Sequence, residues 1–66
     1  MISYEPLWQT LLAKDMSTYD LIYKMGFSAN TIHRMKHNKP ITTNTLDELC
    51  YALNCSVSDI LKHVKE

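Results

Sequence analysis

Thr18–Lys39 reads TYDLIYKMGFSANTIHRMKHNK, and its spacing decides how the rest of the chain must fold. Leu21, Ile22 and Met25 recur at helical period behind Ser17, a side chain suited to capping a helix N-terminus. Gly26 then supplies the left-handed backbone that stops a helix without a Cβ penalty. Ser28 is the next N-cap, and Ile32 and Met35 give a second short helix its buried stripe at i and i+3. Helices this short do not stand alone, since nucleation is costly and an isolated helix needs about a dozen residues or more. The two must lean on each other and on the flanking elements, which is the outline of a helix-turn-helix over about residues 18–37.

At about 100° per residue, Ile32 and Met35 point one way while Ala29, Asn30, His33, Arg34 and His37 fan across the other side. Amide, imidazole and guanidinium are the groups that read base edges in a major groove. Arg pairs bidentately with guanine, Asn with adenine, and the small Ala29 fits against a thymine methyl. A polar face is equally the ordinary solvated side of a surface helix, and spacing alone does not separate the two readings.

On the N-terminal side, Ile2 and Tyr4 are placed to cover the core edge. Pro6 suits a first helical turn, where its missing N–H costs nothing, and Leu7, Trp8, Leu11 and Leu12 form the apolar face of a first helix. Lys14, Asp15 and Met16 connect it to the second, on which Tyr19 and Tyr23 lie one turn apart on a more exposed face. On the C-terminal side, Asn38 tolerates the left-handed conformation and Pro40 cannot continue a helix, so the third helix ends there. Leu46, Leu49, Cys50 and Leu53 mark a fourth, with Thr45 and Glu48 at capping-box spacing and Thr42 and Thr43 as further caps or phosphate ligands. Asn54 punctuates it. Ser56 caps an expected fifth helix with Val57, Ile60, Leu61 and Val64 on one face, and with Asp59, Lys62 and Lys65 matching its dipole. The fold class expected is all-α, five short helices in one domain over residues 1–66.

A chain of 66 residues with 45% apolar residues and one Gly holds a single modest core. No apolar run approaches the roughly 18 residues that span a bilayer, and no basic segment leads into an apolar one, so a cytoplasmic protein with no membrane partner is expected. Formal net charge is zero, but it is unevenly spread. Leu21 to Leu46 holds Lys24, Arg34, Lys36 and Lys39 and no acid, with His33 and His37 able to add charge at lower pH, while all seven acids lie outside. One basic patch on an acidic body concentrates positive potential on the proposed reading face. Cys50 and Cys55 fit no usual zinc spacing and read as half-buried thiols. No Gly-rich loop, carboxylate pair or nucleophile–base arrangement is present, so no catalytic residue, metal, cofactor or small-molecule ligand is assigned and an enzyme is not expected.

The chain resembles the Cro-like phage-repressor family, or XRE-type helix-turn-helix regulators, in particular its small stand-alone bacterial members. The resemblance is carried by Leu21, Gly26, Ile32 and Met35 and by the tail TLDELCYALNCSVSDIL. It implies a compact, repressor-like DNA-binding domain whose third helix is the recognition helix, with Ala29, Asn30, His33 and Arg34 facing bases. Ser17, Thr18, His37, Lys39 and Thr43 match positions that grip phosphates in the family, and Ser28 and Thr31 join them as phosphate candidates. Ile22 departs from the pattern, standing where a small Ala is common at the helix crossing, which implies a wider crossing or shifted packing. Asn38 stands where Gly is common and fills the position at small cost.

The resulting expectation is a sequence-specific, DNA-binding transcriptional regulator with double-stranded DNA as its partner. It is expected to act as a homodimer, since one small recognition helix offers few contacts, through the fifth helix or the exposed edge of the first. The alternative is a protein-interaction module, antitoxin-like or anti-repressor, that keeps the shape and turns the polar face to a protein.

Overall fold

Gly26 sits at the centre of the observed architecture as it does of the sequence, with φ +81° and no atom within 4 Å of where a Cβ would stand. The computed structural model describes residues 1–65. Within them, strand β1 (Ile2–Ser3) leads into helix α1 (Glu5–Ala13), then a π-helical turn (Asp20–Lys24), helix α2 (Ala29–Lys36), helix α3 (Thr43–Leu53), a 3-10 turn (Val57–Asp59) and strand β2 (Lys62–His63). The helix-turn-helix is the π-helical turn and α2, joined through Gly26.

Apolar spacing places most of the core, but Met25, read on the stripe with Leu21 and Ile22, is exposed at the end of the π-helical turn. Leu7 and Leu11 of α1, Leu21, Ile32 and Met35 of the helix pair, and Leu49 and Leu53 of α3 are all buried, with Tyr4 and Ile60 closing the cluster. Each such side chain contributes about 1.5–3 kcal/mol by leaving water, so this cluster, rather than helix propensity, holds elements of eight to eleven residues in place. Trp8 packs half-buried against it. Leu12, assigned to the same face of α1, is instead 73% exposed, because its direction lies about 100° from Leu11 and outside the stripe that Leu7 and Leu11 define.

Left-handed residues end all three α-helices and the π-helical turn: Asp15 (φ 55°), Gly26 (φ 81°), Asn38 (φ 55°) and Asn54 (φ 50°). After each, the next amide reaches back into the preceding helix. Met16 donates to the Leu11 carbonyl at 2.8 Å, Phe27 to Leu21 at 3.0 Å, Lys39 to Arg34 at 2.9 Å and Cys55 to Cys50 at 3.0 Å. These closures satisfy carbonyls that a helix end otherwise leaves open.

The second helix is not a regular α-helix. It begins in α form at Thr18 and widens to π pairing over Asp20–Lys24, with Met25 N–H bonded to the Asp20 carbonyl at 3.0 Å. The widened turn contains Ile22, half-buried against the core, at the position where the family resemblance implied a smaller residue.

The expected fifth helix is not formed. Its capping box is present, with Ser56 N–H bonded to Asp59 Oδ2 at 3.1 Å, but the helix lasts only the Val57–Asp59 turn. Two long-range partners compete for the backbone that would have continued it. The Ile60 carbonyl accepts the Leu7 amide of α1 at 3.2 Å, and Thr10 Oγ1 donates to the Asp59 carbonyl at 2.7 Å. Residues 62–63 then pair antiparallel with β1, Ile2 opposite His63 and Ser3 opposite Lys62. Val64 N–H donates to the Met1 carbonyl at 2.7 Å and the Met1 ammonium to the Val64 carbonyl at 2.8 Å. The all-α core therefore stands with four helical segments rather than five, plus a two-residue strand pair. A dimer interface resting on a fifth helix falls with that helix.

The cap of α3 also differs. Thr42, with extended backbone, takes the Thr45 backbone amide on its Oγ1 at 3.1 Å, so Thr45 is inside the helix and no Thr45–Glu48 box forms; Glu48 Oε1 instead accepts from the Asn44 side-chain Nδ2 at 3.1 Å. Cys50 and Cys55 are half-buried free thiols, and burial followed by the neighbouring Cys50 and Asp59 raises the Cys55 pKa above the ordinary thiol value. Among the described residues, no helix is long and apolar enough to cross a membrane.

Candidate nucleic-acid interface

α2 is anchored by Ile32 and Met35, 1% and 0% exposed, and capped by Ser28, whose Oγ accepts the Thr31 amide at 3.4 Å. With that side fixed, Ala29, Asn30, His33, Arg34, Lys36 and His37 are all exposed and Thr31 is half-buried. Asn30 and His37 project furthest from the core, since both lie roughly opposite the Ile32–Met35 direction at about 100° per residue. His33 and Arg34 flank them.

The two flanks differ. Arg34 Nη2 donates to the Pro40 carbonyl at 3.2 Å, so its guanidinium leans toward the α2–α3 connection. There Thr31, Arg34, Pro40, Ile41, Thr42 and Thr45 line an open cleft. On the other flank the His33 and His37 rings meet edge to face, centroids 4.7 Å apart at 65°.

The end of α2 is held from an unexpected direction. Tyr4, 2% exposed, donates its hydroxyl to the Lys39 carbonyl at 2.8 Å, and its amide to Asn38 Oδ1 at 3.3 Å. Burial pushes the Tyr4 phenol above its ordinary pKa, ahead of the opposing effects of the Ile41 backbone and the Arg34 charge, which keeps it a donor. Sequence spacing places Tyr4 only at the core edge. Nothing local signals a bond to a carbonyl 35 residues away.

At the other end of the motif, Ser17 caps the second helix as expected, and Asp20 is its partner. Ser17 N–H and Oγ donate to Asp20 Oδ2 at 2.9 and 3.3 Å, and the Asp20 amide returns to Ser17 Oγ at 3.4 Å. Ser-x-x-Asp at 17–20 is the visible signal, at capping-box spacing. The carboxylate also pairs with Lys24 Nζ at 3.2 Å. Bonding to Ser17 and then Lys24 lowers the Asp20 pKa below the ordinary value. Two consequences follow: an anion reaching the Ser17 amide meets a carboxylate already there, and Lys24 adds little to the basic patch. The patch therefore rests on Arg34, Lys36 and Lys39, with Lys39 exposed at the end of α2 and Thr43 exposed as the first residue of α3.

Comparison with known proteins gives the family and the fold. Residues 6–66 match the model of the Cro/C1-type HTH DNA-binding domain. Among solved structures, the crystal structure of transcriptional regulator VanUg, Form II, is similar over 98% of this chain and 87% of that one, at 31% identity and a TM-score of 0.90. No curated protein matches the chain. With a family match over nearly all of its length and a shared fold at that identity, the chain belongs to the Cro/C1-type helix-turn-helix DNA-binding family.

Proposed function

We propose that the chain is a sequence-specific transcriptional regulator that lays α2 in the major groove of double-stranded DNA. The observation that carries this reading is the face of α2: Asn30, His33 and Arg34 are exposed opposite an anchored Ile32–Met35 stripe, inside a stretch with no acid. Ala29, Asn30, His33 and Arg34 contact bases. Thr18, Ser28, Thr31, His37, Lys39 and Thr43 hold the phosphate backbone, and Ser17 does so only as its bonds to Asp20 yield. Arg34 must leave Pro40 to reach a guanine. One exposed hydrogen bond is worth about 1 kcal/mol and a bidentate guanine contact about 1–3 kcal/mol, so the exchange is favourable on the right base.

Eight residues of recognition helix supply few contacts, so the protein binds as a homodimer on a pseudo-palindrome with half-sites about 34–36 Å apart. Of the two surfaces expected to pair, the exposed edge of α1 at Leu12, 73% accessible, is the one that remains helical. Selection of genomic fragments by the purified chain tests the proposal. Enrichment of one motif with two-fold symmetry is expected, and no enrichment at low salt would turn the assignment toward a protein-interaction module.

A further inference from the structure

His33 of α2 and His37, the C-cap one turn further on, are both exposed, with ring centroids 4.7 Å apart. A metal–nitrogen bond of about 2.0–2.1 Å puts each ring centroid about 3.2 Å from the ion, so two imidazoles at roughly 90–109° across a metal have centroids about 4.5–5.2 Å apart. The observed spacing falls inside that window. Side-chain rotation alone can then bring a nitrogen of each ring onto one ion, and i, i+4 histidines on a helix are a known metal-binding arrangement. The backbone beneath them is anchored by buried Ile32 and Met35 and by the closure at Asn38.

We propose that His33 and His37 form a two-imidazole site for a divalent transition metal, with water filling the remaining positions. The imidazole ligands select among metals: they bind Cu2+ ahead of Ni2+ and Zn2+, and exclude Mg2+ and Ca2+, which require oxygen ligands. Arg34, Lys36 and Lys39 share this acid-free stretch and weaken the binding of every dication alike. The site lies within the proposed reading face, so metal and DNA exclude one another; this clause rests on the DNA-reading proposal, whereas the metal site itself does not.

The test is a Zn2+ titration of the full chain at pH 7.5, following the ring protons of all three histidines by NMR, with Mg2+ as control. Cu2+ is expected to displace Zn2+ in a calorimetric competition. The expected result is a saturable response of His33 and His37 that weakens by at least roughly tenfold in either His33→Gln or His37→Gln and is unchanged in His63→Gln. His63 lies 3.4 Å from the Met1 amine and is the obvious competing site. A response at His63 alone, a response surviving both α2 substitutions, or none at millimolar Zn2+ overturns the proposal. In a second arm, Zn2+ is added to wild-type protein bound to its selected DNA. Release reversed by chelator is expected. Binding of Zn2+ to the free chain without release from DNA upholds the metal site and counts against His33 and His37 at the DNA.

Discussion

At the scale of single residues, the face of α2 divides into groups that read and groups that hold. Arg34→Ala should relax preference at one base pair by about 1–3 kcal/mol, measured as the change in relative affinity for single-base variants of the selected site. Lys39→Ala should instead weaken all sequences alike and reduce the slope of log K against log salt by about 1. Asp20 makes a different prediction. Its folded-state pKa is lowered, first by Ser17 and then by Lys24, so it contributes stability above its unfolded-state value of about 4. That contribution is lost as pH falls through the lowered folded value. Thermal melts should therefore show Asp20→Ala below wild type at neutral pH, with the gap closing in acid. A gap unchanged at low pH would mean that the capping box contributes nothing through its charge.

At the scale of elements, the turn and the end of α2 are the controlling points. Gly26 is needed for its backbone angle alone, since a Cβ there would meet nothing within 4 Å. Gly26→Ala should cost about 1–2 kcal/mol, or roughly 4–8 °C in Tm per kcal/mol for a domain of this size, and Gly26→Asn should cost less because Asn adopts the left-handed region more readily. Equal losses for the two would show that packing, not φ, sets the requirement. Tyr4→Phe removes the hydroxyl that holds the Lys39 carbonyl. We expect a loss of about 0.5–1.5 kcal/mol in urea unfolding, with weaker DNA binding but an unchanged base preference, because the base-reading side chains are left in place while the end of their helix is loosened.

At the scale of the whole molecule, what was legible in the sequence was what local rules specify. Gly26, Asn38 and the Ile32–Met35 stripe follow from backbone sterics and helical period, and the structure places each as read. The exposure of Asn30, His33 and Arg34 follows from the same stripe. Contacts across the length of the chain were not legible. Residues 56–64 carry a sound cap and an apolar period, yet the amide of Leu7 and the strand at Ile2–Ser3 take the backbone that a helix would have used. Tyr4 joins α2 through a carbonyl and an amide oxygen far along the chain, and the π-helical turn at Ile22 depends on what packs against it. The charge division was readable as a count, but the pairing of Lys24 with Asp20 at 3.2 Å shows that the patch is narrower than the count implies. Whether this face reads bases is decided by the base-preference profile of the intact chain beside that of Asn30→Ala, selected from the same random pool at one salt concentration. One motif is expected for the wild type, with loss of discrimination at a single base pair per half-site for the variant. Two superimposable profiles, or no motif for the wild type, would show that this face does not read bases.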